Sequence, residues 1–96
     1  MLEIMALVLF SQQPSLPVAE GLASFYTVQE NGRTTASGEP LQDDVYSCAM
    51  RDGQFGDFFL VVAETGRSVV CKLTDRGPFV RGRVIDLSRA AMRQLH

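Results

Sequence analysis

Two strand-length apolar runs, Phe58 to Ala63 and Arg67 to Thr74, flank Glu64-Thr65-Gly66, a spacing that fits a hairpin turn. The first run is apolar throughout and suits a strand covered on both faces. The second alternates, with Val69, Cys71 and Leu73 on one side. The remaining chain divides into similarly short pieces. Leu2 to Phe10 reads as a buried strand, Ser11 to Glu20 with its two prolines as a linker, and Gly21 to Val28 as another strand. Gln29 to Asp44 is polar and rich in turn residues, which reads as a long ordered loop, and Val45 to Met50 is a short element of undetermined type. A strand near Arg83 to Ile85 precedes a closing helix, Arg89 to Leu95, capped by Asp86 or Ser88. So many short strands with one short helix, in 96 residues of which 46% are hydrophobic, point to a mainly β chain and to a small barrel rather than a sandwich.

Composition narrows the chemistry. The single histidine is His96, so a Ser-His-Asp relay or a histidine-rich metal cage is excluded. Residues 1–65 hold two arginines against nine carboxylates, whereas residues 66–96 hold seven cations against two. Such a basic end favours an acidic glycan or a nucleic acid, or it neutralises the acidic part within the fold. No aromatic residue is interleaved with the arginines as in a nucleic-acid module, so no nucleic-acid partner is expected. Cys48 and Cys71 cannot complete a zinc site without histidines. The favoured reading of Cys71 is a small buried core residue, and a disulfide requires the fold to bring the two together. Met1 to Phe10 lacks a basic start, contains Glu3 and is too short to span a bilayer, so no signal peptide or transmembrane segment is expected there.

Two carboxylates stand out. Asp75 follows Val69, Cys71 and Leu73 at period two, which aims it toward the apolar side at a strand end. Held there without water, it would have a raised pKa and serve as a general acid; bonded to amides of the Asp-Arg-Gly-Pro turn, or paired with Arg76, it would have a lowered one. Glu39 ends Gly32-Arg33-Thr34-Thr35-Ala36-Ser37-Gly38, whose glycines allow close approach and whose hydroxyls suit a sugar. Two carboxylates on separate loops are the minimum equipment for glycoside cleavage.

Five ordered blocks carry a resemblance: Gly21-Leu22-Ala23-Ser24-Phe25-Tyr26, Gly32 to Glu39, Gly66-Arg67-Ser68-Val69-Val70, Asp75-Arg76-Gly77-Pro78-Phe79-Val80, and Gly82-Arg83-Val84-Ile85-Asp86-Leu87-Ser88. From Gly21 to Leu95 the chain resembles the rare lipoprotein A family. The resemblance implies a six-stranded double-psi β-barrel with a short C-terminal helix, and the activity of a lytic transglycosylase on peptidoglycan glycan strands. It implies catalytic roles for Asp75 and Glu39. Substrate contacts are expected from Arg33, Arg76 and Arg83, whose charge suits substrate carboxylates, from the hydroxyls of Thr35 and Ser37, and from Phe25, Tyr26, Met50 and Asp86, with no metal or cofactor expected. Met50 stands where the family has a histidine, so activity is expected to be weakened; Phe25 stands in place of a more typical tryptophan.

The family's barrel has one more strand after the closing helix, and the expectation is that residues 2–10 take that place. The domain reading is therefore an N-terminal strand and linker over 1–20 and the barrel over 21–96. The alternative use of the N-terminal segment is docking to another protein chain. Localisation is expected to be the cell envelope or a virion, and the alternative function is a non-catalytic glycan-binding or structural module.

Overall fold

The computed structural model of the chain describes residues 3–32 and 34–96. Six strands, β1 (Ile4–Phe10), β2 (Pro17–Phe25), β3 (Ser47–Ala49), β4 (Phe58–Ala63), β5 (Ser68–Asp75) and β6 (Arg83–Leu87), close into a mixed barrel in the order β1-β2-β6-β3-β5-β4. Two helices accompany them, α1 (Val28–Asn31) and α2 (Arg89–Leu95). No helix is long and apolar enough to cross a membrane among the described residues.

Strand alternation places Val8, Ala23, Cys48, Val61, Cys71, Leu73, Ile85 and Leu87 in the interior, all fully buried. At one end α2 seats Ala91, Met92 and Leu95 on that core. Ser88 is its N-cap, accepting from the Ala91 amide, so of the two expected caps the serine is used. The hairpin of β4 and β5 forms in antiparallel register, with Phe59 opposite Cys71 and Val61 opposite Val69. β4 is not fully covered on both faces, however: Phe59, Val61 and Ala63 are buried, while on the other face Phe58 is exposed and Leu60 and Val62 are only half-buried.

The N-terminal strand is part of the barrel. β1 pairs antiparallel with β2 on one edge and with β4 on the other, so both of its edges are satisfied within the chain and neither is open to a second chain. Leu2 lies outside the described residues. The expected linker is shorter than its composition suggested. β2 begins at Pro17, which is tolerated at the start of a strand, and only Ser11 to Leu16 form the turn. The strand expected to run to Val28 ends at Phe25, and Val28–Asn31, across the start of the expected loop, form one helical turn capped by the Thr27 hydroxyl.

Cys48 and Cys71 form a disulfide, contrary to the buried-thiol reading. Parallel pairing sets Cys48 opposite Leu73, two residues along β5 from Cys71, with both cysteine side chains facing the interior and Cα atoms 5.8 Å apart. Sequence separation alone concealed this approach.

Gly21 is required by close packing: a Cβ there would come within 2.8 Å of Val84 and 2.9 Å of the Gly82 carbonyl. Gly53 combines φ of 103° with a Cβ position 2.9 Å from Leu73.

Candidate active site

β3 is only three residues long, yet it sets the position of both nearby carboxylates. Cys48 pairs with Leu73 and Leu87, and Ala49 pairs with Asp75 on β5 and Asp86 on β6. Asp75 and Asp86 thus flank Ala49 at one strand spacing each, placing their backbones about 10 Å apart. Between Leu73 and Asp75 the register slips, and Thr74 is the extra residue of a β-bulge. Past that bulge Asp75 leaves the row of Val69, Cys71 and Leu73 and aligns with Ala49, which packs with Tyr26 and Leu41 outside the barrel core.

The Asp75 side chain adopts the amide-bonded arrangement. Its Oδ1 accepts from the amides of Arg76 (2.8 Å) and Ala36 (3.0 Å). The Ser37 amide bonds the Thr74 carbonyl at 3.0 Å, so the loop of residues 34–40 is laid across the end of β5. Glu39, farther along that loop, is not bonded to Asp75. Its Oε1 accepts from Lys72 Nζ at 2.7 Å, with both side chains well exposed. Thr35 and Ser37 share a hydroxyl contact of 3.0 Å, Thr35 also donates to the Glu39 carbonyl, and Ser37 accepts from the Glu39 amide. These hydroxyls therefore shape the loop itself, and Thr35 is buried. Arg33 lies outside the described residues.

Met50 is a wall residue. Its side chain belongs to the main core and borders an apolar cavity of about 460 Å³ shared with Phe10, Leu16, Val18 and Phe59. Its amide bonds the Asp75 carbonyl at 3.2 Å, so Met50 and Asp75 are joined through the backbone. Arg76 reaches across to the Met50 carbonyl (3.3 Å) and the Gly53 carbonyl (2.6 Å), with its guanidinium 4.2 Å from the centre of the Phe55 ring. It clips the 50–55 loop to the end of β5. Arg83 is largely buried, ion-paired with Asp86 at 2.8 Å and with Glu3 at 3.6 Å, and it bonds Ser24, which in turn donates to Asp86. Phe25 packs half-buried against the barrel core.

Tyr26 sits between these groups. Its ring is buried with Leu41 and Ala49, and its hydroxyl is sealed from solvent without a full hydrogen bond, since the neighbouring Thr74 hydroxyl meets it too loosely. Burial, reinforced by the charges of Asp75 and then Asp86, pushes its ionisation well above the ordinary tyrosine range.

An open cleft of about 1040 Å³ lies beside Glu39, walled by Lys72, Tyr46, Phe58, Arg89 and Arg93. It is large enough for sugar residues, and it exposes aromatic surface together with these cations and the carboxylates of Asp43 and Asp44. Lys72 was missed by sequence reasoning; its outward parity on β5, opposite the buried cysteine row, is the signal that marks it as a surface cation near the loop. Among the described residues no three His, Cys, Asp or Glu side chains are grouped to hold a metal ion.

The family model described as lytic transglycolase matches residues 18–96, which takes in the bulge at Thr74, the loop of residues 34–40 and, apart from Pro17, every strand except β1. The chain belongs to the lytic transglycolase family. The endolytic peptidoglycan transglycosylase RlpA of Pasteurella multocida is 42% identical over 86 residues, covering 88% of this chain and 29% of that relative. The probable endolytic peptidoglycan transglycosylase RlpA of a Nostoc strain is 47% identical over 79 residues, covering 79% of this chain and 21% of the relative. The RlpA of Haemophilus influenzae is 37% identical, with 81% and 28% covered. This lytic transglycolase chain thus spans less than a third of the length of these relatives.

Proposed function

We propose that the chain cleaves peptidoglycan glycan strands by lytic transglycosylation, with Asp75 exchanging the proton. The observation that supports this most is the backbone frame around Asp75, within the matched family span: the Thr74 bulge and the pairing with Ala49. With Oδ1 occupied by amides, Oδ2 is the oxygen that carries a proton. Asp75 donates it to the glycosidic oxygen as the C1–O4 bond breaks. The sugar's own C6 hydroxyl then closes on C1 and returns its proton to Oδ2, forming a 1,6-anhydro ring without an activated water.

Glu39 and the cleft beside it orient the strand, with Lys72 keeping the carboxylate paired until a sugar hydroxyl competes for it. Arg76, Arg83 and Asp86 act from behind, holding the 50–55 loop and β6 in place. Met50 supplies no proton donor, so the rate falls by a factor on the order of 10² relative to a member with an imidazole there. The family relationship favours cleavage over a non-catalytic role. A buried disulfide is at home in an oxidising compartment, which supports action outside the cytoplasm, where peptidoglycan lies.

Digestion of denuded glycan strands, read by mass spectrometry, tests this reading. Wild type yields 1,6-anhydro ends, and Asp75→Asn lowers their rate by a factor on the order of 10² to 10⁴. No anhydro ends from wild type, or equal yield from the variant, overturns it.

A further inference from the structure

Asp75 and Asp86 both act on the Tyr26 hydroxyl, but they differ in what neutralises them. Asp86 is ion-paired with Arg83 and also accepts from Ser24. No cation is paired with Asp75 among the described residues, and the adjacent Arg76 is turned to the carbonyls of Met50 and Gly53. Asp75 Oδ1 carries two amide bonds, while Oδ2 has no partner among the described residues. On the same side, where Tyr26 packs on Ala49 and Ala49 pairs with Asp75, lies a buried hydroxyl without a hydrogen-bond partner, an arrangement costly to keep unless the donor is used.

We propose that Tyr26 is a positioning residue for Asp75, its phenol O–H being the reserve donor that steadies Oδ2 once that oxygen has passed its proton to the glycosidic oxygen. The inference rests on the lytic reading of the site. In the first half-reaction the Asp75 Oδ2–H bond breaks, an O4–H bond forms and C1–O4 breaks. The new carboxylate then accepts a charge-assisted hydrogen bond from Tyr26, stronger than any the neutral acid would accept. In the second half the C6 oxygen bonds C1 and its proton goes to Oδ2. Tyr26 keeps its own proton throughout, because burial and two neighbouring carboxylates oppose phenolate formation.

Other charged groups surround the pair. Lys72 lies on β5 bonded to Glu39, Arg83 lies on β6, and Glu30 and Asp43 belong to α1 and the loop after it, where Asp43 Oδ1 accepts from the Val28 amide. None of them is altered by Tyr26→Phe, which removes one oxygen that makes no full bond in the resting protein.

The experiment compares wild type with Tyr26→Phe in two readouts. In the glycan digest kcat falls about tenfold to a hundredfold with KM unchanged, since the hydroxyl does not touch substrate. By carbon NMR of the side-chain carboxyl, the Asp75 titration midpoint moves to higher pH, because the ionised form has lost a donor. Should Tyr26→Phe not fold, 3-fluorotyrosine at position 26 in a Tyr46→Phe background provides a stronger donor, and the midpoint then moves to lower pH. An unchanged Asp75 titration overturns the proposal. If wild type releases no anhydro ends, the lytic reading fails on its own, and the titration still decides whether Tyr26 acts on Asp75.

Discussion

Asp75 and Glu39 are held by different kinds of structure. Asp75 ends a strand whose core cysteine is linked to β3, and its carboxylate is tied to backbone amides from its own turn and from the loop of residues 34–40. Glu39 sits on that same loop, but its carboxylate is held by one ion pair between side chains 37% and 48% exposed. Fixed backbone donors next to a stapled seam place a group to within a fraction of an ångström, whereas an exposed ion pair leaves two long side chains free to exchange partners. A proton-transfer group benefits from the first kind of support and a strand-orienting group from the second.

The disulfide offers the largest test of that contrast. Replacing both cysteines, Cys48→Ala with Cys71→Ala, removes a cross-link between residues 23 apart and lowers stability by about 2–4 kcal/mol in denaturant titration. Amide exchange at Met50 and Ala36, the two amides that bind Asp75 outside its own turn, then accelerates more than exchange in the loop around Glu39. Equal acceleration in both places erases the distinction.

Alkaline pH sharpens the comparison on the Asp75 side. Tyr26 resists ionisation in the fold, so as pH rises past about 10, where an unfolded tyrosine gives up its proton, the unfolded chain is favoured. Stability falls in that range by about 1.4 kcal/mol for each unit over which only the unfolded chain ionises. In Tyr26→Phe this part of the decline disappears, as unfolding measured at neutral and alkaline pH will show.

The smallest effect is expected on the Glu39 side. Lys72→Gln frees the carboxylate but changes stability by less than about 1 kcal/mol, and the difference fades as salt is raised. A larger, salt-independent loss would mean that the two carboxylates are supported alike.

Much of the site was legible in the chain. Period-two alternation located β5 and its buried cysteine, the Glu64-Thr65-Gly66 turn located the hairpin, and Ser88 was read as a possible helix cap. The amide-bonded form of Asp75 was also foreseen, as one of two readings. Alternation failed at Thr74, because a bulge adds a residue and turns Asp75 toward Ala49 and away from the apolar row. Composition failed at Pro17 to Glu20, where proline and a charge suggested a linker although pairing with β1 makes a strand. The roles expected for Arg76 and Arg83 followed from their charge, and the structure shows each guanidinium engaged by carbonyls or carboxylates of its own chain.

Properties that depend on neighbours along the chain were thus determined by the sequence itself: strand periodicity, the turn between β4 and β5, the helix cap and the lack of an internal histidine. Only the tertiary structure decided that Cys48 meets Cys71, that Lys72 meets Glu39, and that the Tyr26 hydroxyl is buried without a hydrogen-bond partner. Local signals record the conformational preference of a few residues, whereas these encounters depend on the register of strands distant in sequence, where a shift of one residue changes every partner.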